Sequence, residues 1–253
     1  MPARWCSRRA ATLFLCSCSC VLAGCGGSAH DPFAYDAKRP LAVHDDGVAM
    51  SNAKIALHVV SYAGAGGAVN AFLFVPKTTG PHPAVLFLHG SGGNREDLLV
   101  PAADLAQRGA LTMTISQPND AQTFRPLVVN AERALDLLAA RKDVDPKRLG
   151  LVGFSLGAQT AAVVAGTDKR LTSVGLIAGR GAGTPRYWIP HAHADLFFQD
   201  GTRDDHVPHA QLVALIEAAP GHPLVRWYDT KHGMNMKTLD DQVAWQAHEL
   251  GLS

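Results

Sequence analysis

The stretch FFQDGTRDDHVPH, residues 197 to 209, places Asp200, Asp204, Asp205, His206 and His209 within thirteen positions. Carboxylates and imidazoles at this density suit a metal site, the acid of a nucleophilic relay, or a solvated turn. A second stretch carries a nucleophile. GFSLG, Gly153 to Gly157, matches G-x-S-x-G around Ser155. A serine hydroxyl is a weak nucleophile at its ordinary pKa and needs an adjacent base. The pattern works when a strand runs into it and a helix leaves it, because the sharp turn exposes the hydroxyl beside the unpaired N–H groups of the helix start. Here the apolar run RLGLVGF precedes it, and LGAQTAAVVAG, rich in small residues, follows it.

The metal reading is weaker. His206 and His209 have H-x-x-H spacing and His191 and His193 have H-x-H spacing, but Pro208 interrupts any helix that would align the first pair. No catalytic metal is expected. Nor is a cofactor: GSGGNRE lacks the Lys-Ser/Thr of a phosphate loop, and GAGG (64 to 67) and GRGAG (179 to 183) read as turns.

These residues need a scaffold to position them. AKIALHVVS (53 to 61) and AVNAFLFV (68 to 75), joined by YAGAGG, read as a β-hairpin. AVLFLHG (84 to 90) is a continuous apolar run, as in a strand buried on both faces. Beyond it, strand-like segments near 110 to 116, 148 to 154, 171 to 179, 194 to 201 and 223 to 230 alternate with helical ones. The alternation predicts a mainly parallel sheet with helices on both faces, after an N-terminal antiparallel hairpin.

The chain resembles the α/β-hydrolase superfamily, and within it the dienelactone-hydrolase-like and prolyl-oligopeptidase-like serine hydrolases. LFLHGSGGN, LVGFSLGAQTA, FFQDGTRDDHVP and YDTKHGM carry the resemblance, in that order. It implies a triad of Ser155, Asp204 and His232. Gly201 to Pro208 follows the superfamily's G-x-x-D-x-x-V-P pattern, and His232 lies between the last strand and the last helix. Asp200 and Asp205 are then turn and surface residues. The resemblance also implies an oxyanion hole of backbone N–H groups from Ser91, or less favourably Gly92, and from Leu156. A dienelactone hydrolase proper has cysteine where this chain has Ser155. Only fifteen residues, GRGAGTPRYWIPHAH, separate two late strands where relatives insert a lid, so no large lid is expected. Tyr187, Trp188 and Ile189 there, with Phe124 and Met234, are candidates to border a substrate pocket.

The 253 residues suit one large α/β domain, and a net charge of +1 without charge runs gives no footprint for nucleic acid. All five cysteines fall between Cys6 and Cys25, so the remainder folds without disulfides. Arg4, Arg8 and Arg9 precede an uncharged apolar stretch ending in LAGC, Leu22 to Cys25, which resembles a bacterial lipobox. The expected organisation is a signal peptide at 1–24, a lipidated Cys25 with a tether over 25–50, and a hydrolase domain at 51–253. The expected location is the cell envelope, lipid-anchored on the periplasmic face or the outer membrane. The leading reading is a serine carboxylesterase of small or accessible esters. A peptidase or amidase of prolyl-oligopeptidase-like type, and a non-catalytic binding lipoprotein, are the alternatives.

Overall fold

Nine strands form one sheet in the order β1-β2-β3-β5-β4-β6-β7-β8-β9 in a computed structural model that describes residues 31–252. The signal segment 1–24 and Cys25 lie outside the described residues. β1 (His44–Ser51), β2 (Ile55–Ala63) and β3 (Ala68–Pro76) pair antiparallel, and β3 joins β5 (Leu111–Ile115) antiparallel. From β5 the ladder is parallel through β4 (His82–Leu88), β6 (Val144–Phe154), β7 (Leu171–Ile177), β8 (Asp195–Gly201) and β9 (Leu224–Tyr228). The continuous apolar runs behave as expected, with every residue of β4 and β5 buried.

Two apolar layers sandwich the sheet. α2 (Phe124–Ala139) and α3 (Leu156–Thr167) pack Val128, Leu135, Ala161 and Val164 into one. α1 (Leu99–Gln107) and α6 (Met236–Glu249) pack Leu105 and Val243 into the other. The connection leaving β4 therefore goes to one face and that leaving β6, its neighbour, to the opposite face. Loops that diverge in this way open a crevice outside the strand C-termini, where α/β sheets hold their ligands. Among the described residues no large lid covers it. The segment between β7 and β8 holds only α4 (Thr184–Trp188) and a 3-10 turn (Ile189–His191).

The N-terminal boundary differs from the expected tether over 25–50. Residues 44–51 form β1, and the folded unit extends back to Pro32. β1 escapes sequence reading because its residues are nearly all exposed, so its sequence, HDDGVAMS, has no apolar alternation. Charged residues such as Asp45 and Asp46 are what an exposed edge strand carries. Upstream, the fully buried Arg133 of α2 organises the backbone. Its guanidinium donates to the carbonyls of Ala63, Arg39 and Pro40, the last at 2.9 Å. The Tyr35 hydroxyl donates to Asp136 Oδ2 at 2.6 Å, and Phe33 is buried.

Arg133→Met removes the donors but keeps the packing volume. Three carbonyls lose their partner, at a cost of about 1–3 kcal/mol. A lower denaturant midpoint together with faster proteolysis within 32–43 is the expected result. A change in midpoint with no change in proteolysis would mean that Arg133 does not hold this segment.

Candidate active site

Ser155 has φ 53° and ψ −110°, between the last residue of β6 and the first of α3. An L-residue adopts such an angle only when its surroundings impose it. The flanking glycines show how. A Cβ on Gly153 would sit 2.3 Å from the Gly157 carbonyl oxygen, and one on Gly157 would sit 2.1 Å from that of Leu88. Only hydrogens fit, so strand, turn and helix close up behind the serine. The Ser155 N–H donates to the Ile177 carbonyl at 2.8 Å, which ties the elbow to β7.

His232 Nε2 lies 2.8 Å from Ser155 Oγ, and His232 Nδ1 lies 2.8 Å from Asp204 Oδ2. Asp204 Oδ1 accepts from the His206 and Val207 N–H groups, each at 2.8 Å. Burial works to raise the Asp204 pKa, but these N–H bonds and His232 outweigh it and hold the group below the ordinary carboxylate value. An ionised Asp204 makes Nδ1 the protonated nitrogen of His232. Nε2 is then the acceptor facing the serine hydroxyl. The acid's side chain is 2% exposed and that of His232 15%, so the relay is largely shielded from water. Phe154 covers the imidazole at 5.4 Å between ring centroids.

Two devices place the His232 loop. Asn235 caps α6 by accepting from the Thr238 N–H at 2.9 Å. Buried Gln199 of β8 donates to the Thr238 carbonyl at 2.9 Å and to the Tyr228 hydroxyl at 2.7 Å.

The other two aspartates separate by environment. Asp205 is solvent-facing, pairing with Lys231 at 2.9 Å and with His206 at 2.9 Å, and these partners hold its pKa low. Asp200 is not an exposed turn residue: it is 3% exposed at the end of β8. Burial, reinforced by the negative charge of Asp204, pushes its carboxyl up to about 7.

The turn after β4 lies against the elbow, since a Cβ on Gly90 would come within 3.4 Å of Ser155 Cβ. Buried His89 braces it: Nε2 accepts from the Gln117 N–H at 2.8 Å, while Nδ1 bonds the Gly90 carbonyl at 2.7 Å. The Gly92 N–H is taken by Asn119 Oδ1 at 2.9 Å, which favours Ser91 over Gly92 as the donor of the turn. Leu156 is the first residue of α3, where the helix's own ladder leaves its N–H unused.

The expected pocket residues divide. Met234 is partly buried beside His232 and packs on the α1/α6 layer. Phe124 is the first residue of α2 rather than part of a loop, and packs on the α2/α3 layer. Trp188 and Tyr187 do not border the nucleophile. The Trp188 carbonyl lies where a Cβ on Gly166 would meet it at 2.1 Å. Gly166 is ten residues along α3 from Leu156, or about 15 Å at the helical rise. Trp188 instead stacks edge-on against Phe33 at 5.6 Å, and Tyr187 is exposed. Ile189 is fully buried. A separate cavity of about 410 Å³, whose lining includes none of Ser155, Asp204 and His232, is bordered by Val69, Ser116, Gln117, Asp120, Pro126 and Asn130. Its walls come from three distant segments, and no local motif marks it.

A parallel-centred sheet with a strained serine elbow after β6, an acid after β8 and a histidine after β9 defines an α/β-hydrolase. The chain belongs to the dienelactone hydrolase family, whose model matches residues 102–250. It is 30% identical to acyl-coenzyme A thioesterase 1 of Rattus norvegicus over 119 residues, 45% of this chain and 27% of that one. It is 29% identical to esterase EstD of Thermotoga maritima over 111 residues, 38% of this chain and 26% of that one. The chain thus spans about a quarter of the length of the curated relatives it matches. Among solved structures, an acetyl xylan esterase from Paenibacillus sp. R4 superposes with TM-score 0.73 at 18% identity, covering 83% of this chain and 89% of that one. A cold-adapted esterase from an Arctic intertidal metagenomic library gives 0.70 at 17% identity, covering 82% and 97%.

Asp200 has a consequence for stability. Its native carboxyl holds its proton up to about 7, whereas the unfolded group loses it near 3.8. The native state therefore binds more protons between these values, and stability falls as pH rises through them. Asp200→Asn escapes that fall. Its advantage over the wild type should be small at pH 4 and grow by pH 8, to at most about 4 kcal/mol. Thermal melts at the two pH values check this; an advantage that does not grow with pH contradicts it.

Proposed function

We propose that this chain is a serine carboxylesterase that cleaves small or accessible esters through an acyl-Ser155 intermediate. The observation that carries the reading is the continuous hydrogen-bonded series Ser155–His232–Asp204 behind a strained nucleophile. His232 Nε2 takes the hydroxyl proton as Ser155 Oγ attacks the ester carbonyl. The developing oxyanion is received by the Ser91 and Leu156 N–H groups, such donors being worth about 3 kcal/mol each. His232 then protonates the departing alcohol, and a water deprotonated by the same nitrogen releases the acid. Asp204 stays ionised throughout and stabilises the imidazolium. The short connection between β7 and β8 supports accessible over deeply enclosed substrates.

Thioesters are a second substrate class, favoured by the similarity to an acyl-coenzyme A thioesterase over 119 residues. The same acyl-serine chemistry serves both, and only the leaving atom differs. Matched p-nitrophenyl ester, thioester and anilide substrates separate ester, thioester and amide preference.

A fluorophosphonate probe should label wild type and not Ser155→Ala. Asp204→Asn should lower kcat by a factor on the order of 10³–10⁴, because the wrong histidine tautomer is then held. Asp205→Asn should keep most of the activity. The reverse ranking, or equal hydrolysis by wild type and Ser155→Ala, overturns the assignment.

We also propose that the chain is lipid-anchored at Cys25 in the cell envelope, a reading supported by the LAGC sequence and the charged-then-apolar segment before it. Cys25→Ser should abolish incorporation of labelled palmitate and move the protein from the membrane to the soluble fraction. Unchanged fractionation would exclude the anchor.

A further inference from the structure

The His206 imidazole takes no part in the Ser155–His232–Asp204 series, yet it stacks on the ring of His232, 4.8 Å between centroids and 24° from parallel. One nitrogen of each ring and one carboxylate oxygen of Asp204 lie within 4.8 Å of one another. We propose that Asp204, His206 and His232 form an inhibitory site for a divalent transition-metal ion of zinc's ligand preference.

The ligand chemistry selects the ion. Two imidazoles and a carboxylate suit zinc and its neighbours, whereas magnesium and calcium prefer oxygen donors alone. His206 is already arranged as a metal-binding histidine is. Its Nδ1 lies on Asp205, which is not one of the three donors, at 2.9 Å. A carboxylate on one ring nitrogen orients the imidazole and raises the basicity of the other nitrogen. Asp205 is itself held by Lys231 at 2.9 Å. Tetrahedral zinc with bonds near 2.0–2.1 Å needs its donor atoms about 3.3 Å apart, so the widest separation in the cluster must close by up to about 1.5 Å. His206 can supply that movement, since its side chain is 70% exposed and sits in the loop between β8 and the helix that begins at His209. The H-x-x-H partner, His209, takes no part. It is the first residue of α5 (His209–Ala218), and its ring packs on Trp227 at 4.8 Å.

Inhibition follows from the bonding of His232. Both its ring nitrogens are in use, Nδ1 on Asp204 and Nε2 on Ser155. Whichever nitrogen the ion takes, one of those hydrogen bonds is lost and the relay from acid to nucleophile is broken. The inhibitory consequence rests on the esterase reading, but the metal site does not.

The test has two arms, both on the full chain in metal-free buffer. In the first, p-nitrophenyl acetate hydrolysis by wild type and by His206→Ala is titrated with zinc chloride, each relative to its own uninhibited rate, with magnesium chloride as control. Zinc should inhibit wild type reversibly on addition of chelator, magnesium should not, and His206→Ala should need at least tenfold more zinc for half-inhibition. In the second, zinc binding to Ser155→Ala is measured by calorimetry, a readout independent of hydrolysis. Ser155→Ala should bind one more ion per chain than Ser155→Ala/His206→Ala, any zinc held by the thiols between Cys6 and Cys25 being common to both. Equal zinc sensitivity in both proteins of the first arm, or equal stoichiometry in both of the second, overturns the site. A bound ion that depends on His206, without any hydrolysis to inhibit, would keep the metal site and reject the esterase reading instead.

Discussion

The backbone at Ser155 is held at φ 53° and ψ −110°, and the rest of the site is arranged around that one residue. Such a conformation persists only where neighbouring structure over-determines it. Here the over-determination is contact between backbones. The elbow leaves no room for a methyl group at Gly153 or Gly157, because the carbonyls of Gly157 and Leu88 occupy those positions. Close packing of β4, β6 and α3 is thus the condition for the turn. The turn in turn aims the hydroxyl out of the sheet beside the first N–H of α3. The same closeness brings the turn after β4 alongside, so Ser155, the start of α3 and that turn are parts of one packed unit.

The acid and the base arrive from the other side of the sheet and are held differently. Asp204 and His232 sit on loops after β8 and β9, and their positions depend on polar contacts. Asp204 is fixed by two backbone N–H groups of its own loop, and the histidine loop by the Asn235 cap and the Gln199–Thr238–Tyr228 bonds. Three aspartates within six residues thereby acquire three characters. Asp204 is buried but well supplied with donors, so it stays ionised. Asp205 faces solvent and Lys231. Asp200, buried with a like charge nearby, keeps its proton to about 7.

Much of this was legible in the chain. The run LVGFSLGAQTA has its glycines where backbones must touch, and the parallel strands announce themselves as apolar runs because both faces are buried. The order of serine, acid and histidine, with the family resemblance, selected Ser155, Asp204 and His232 from a chain of twelve histidines. β1 was not legible, since an exposed edge strand has no buried face to impose alternation. The packing of residues 32–43 was not either, since it depends on one buried arginine about a hundred residues away. Trp188 and Tyr187 were misplaced for a related reason: a loop's sequence says that it can border a site but not at which end of a helix it lands.

What the sequence by itself determined was therefore the chemistry available and the class of scaffold, because local backbone demands and apolar periodicity are written into neighbouring residues. What only the tertiary structure decided was proximity. The stacking of His206 on His232, the burial of Asp200, the bracing of the turn after β4 by His89 and Asn119, and the cavity walled by three separate segments all join residues distant in sequence. Their meeting is set by how β-strands align and how loops diverge at the sheet edge, and no local pattern encodes it.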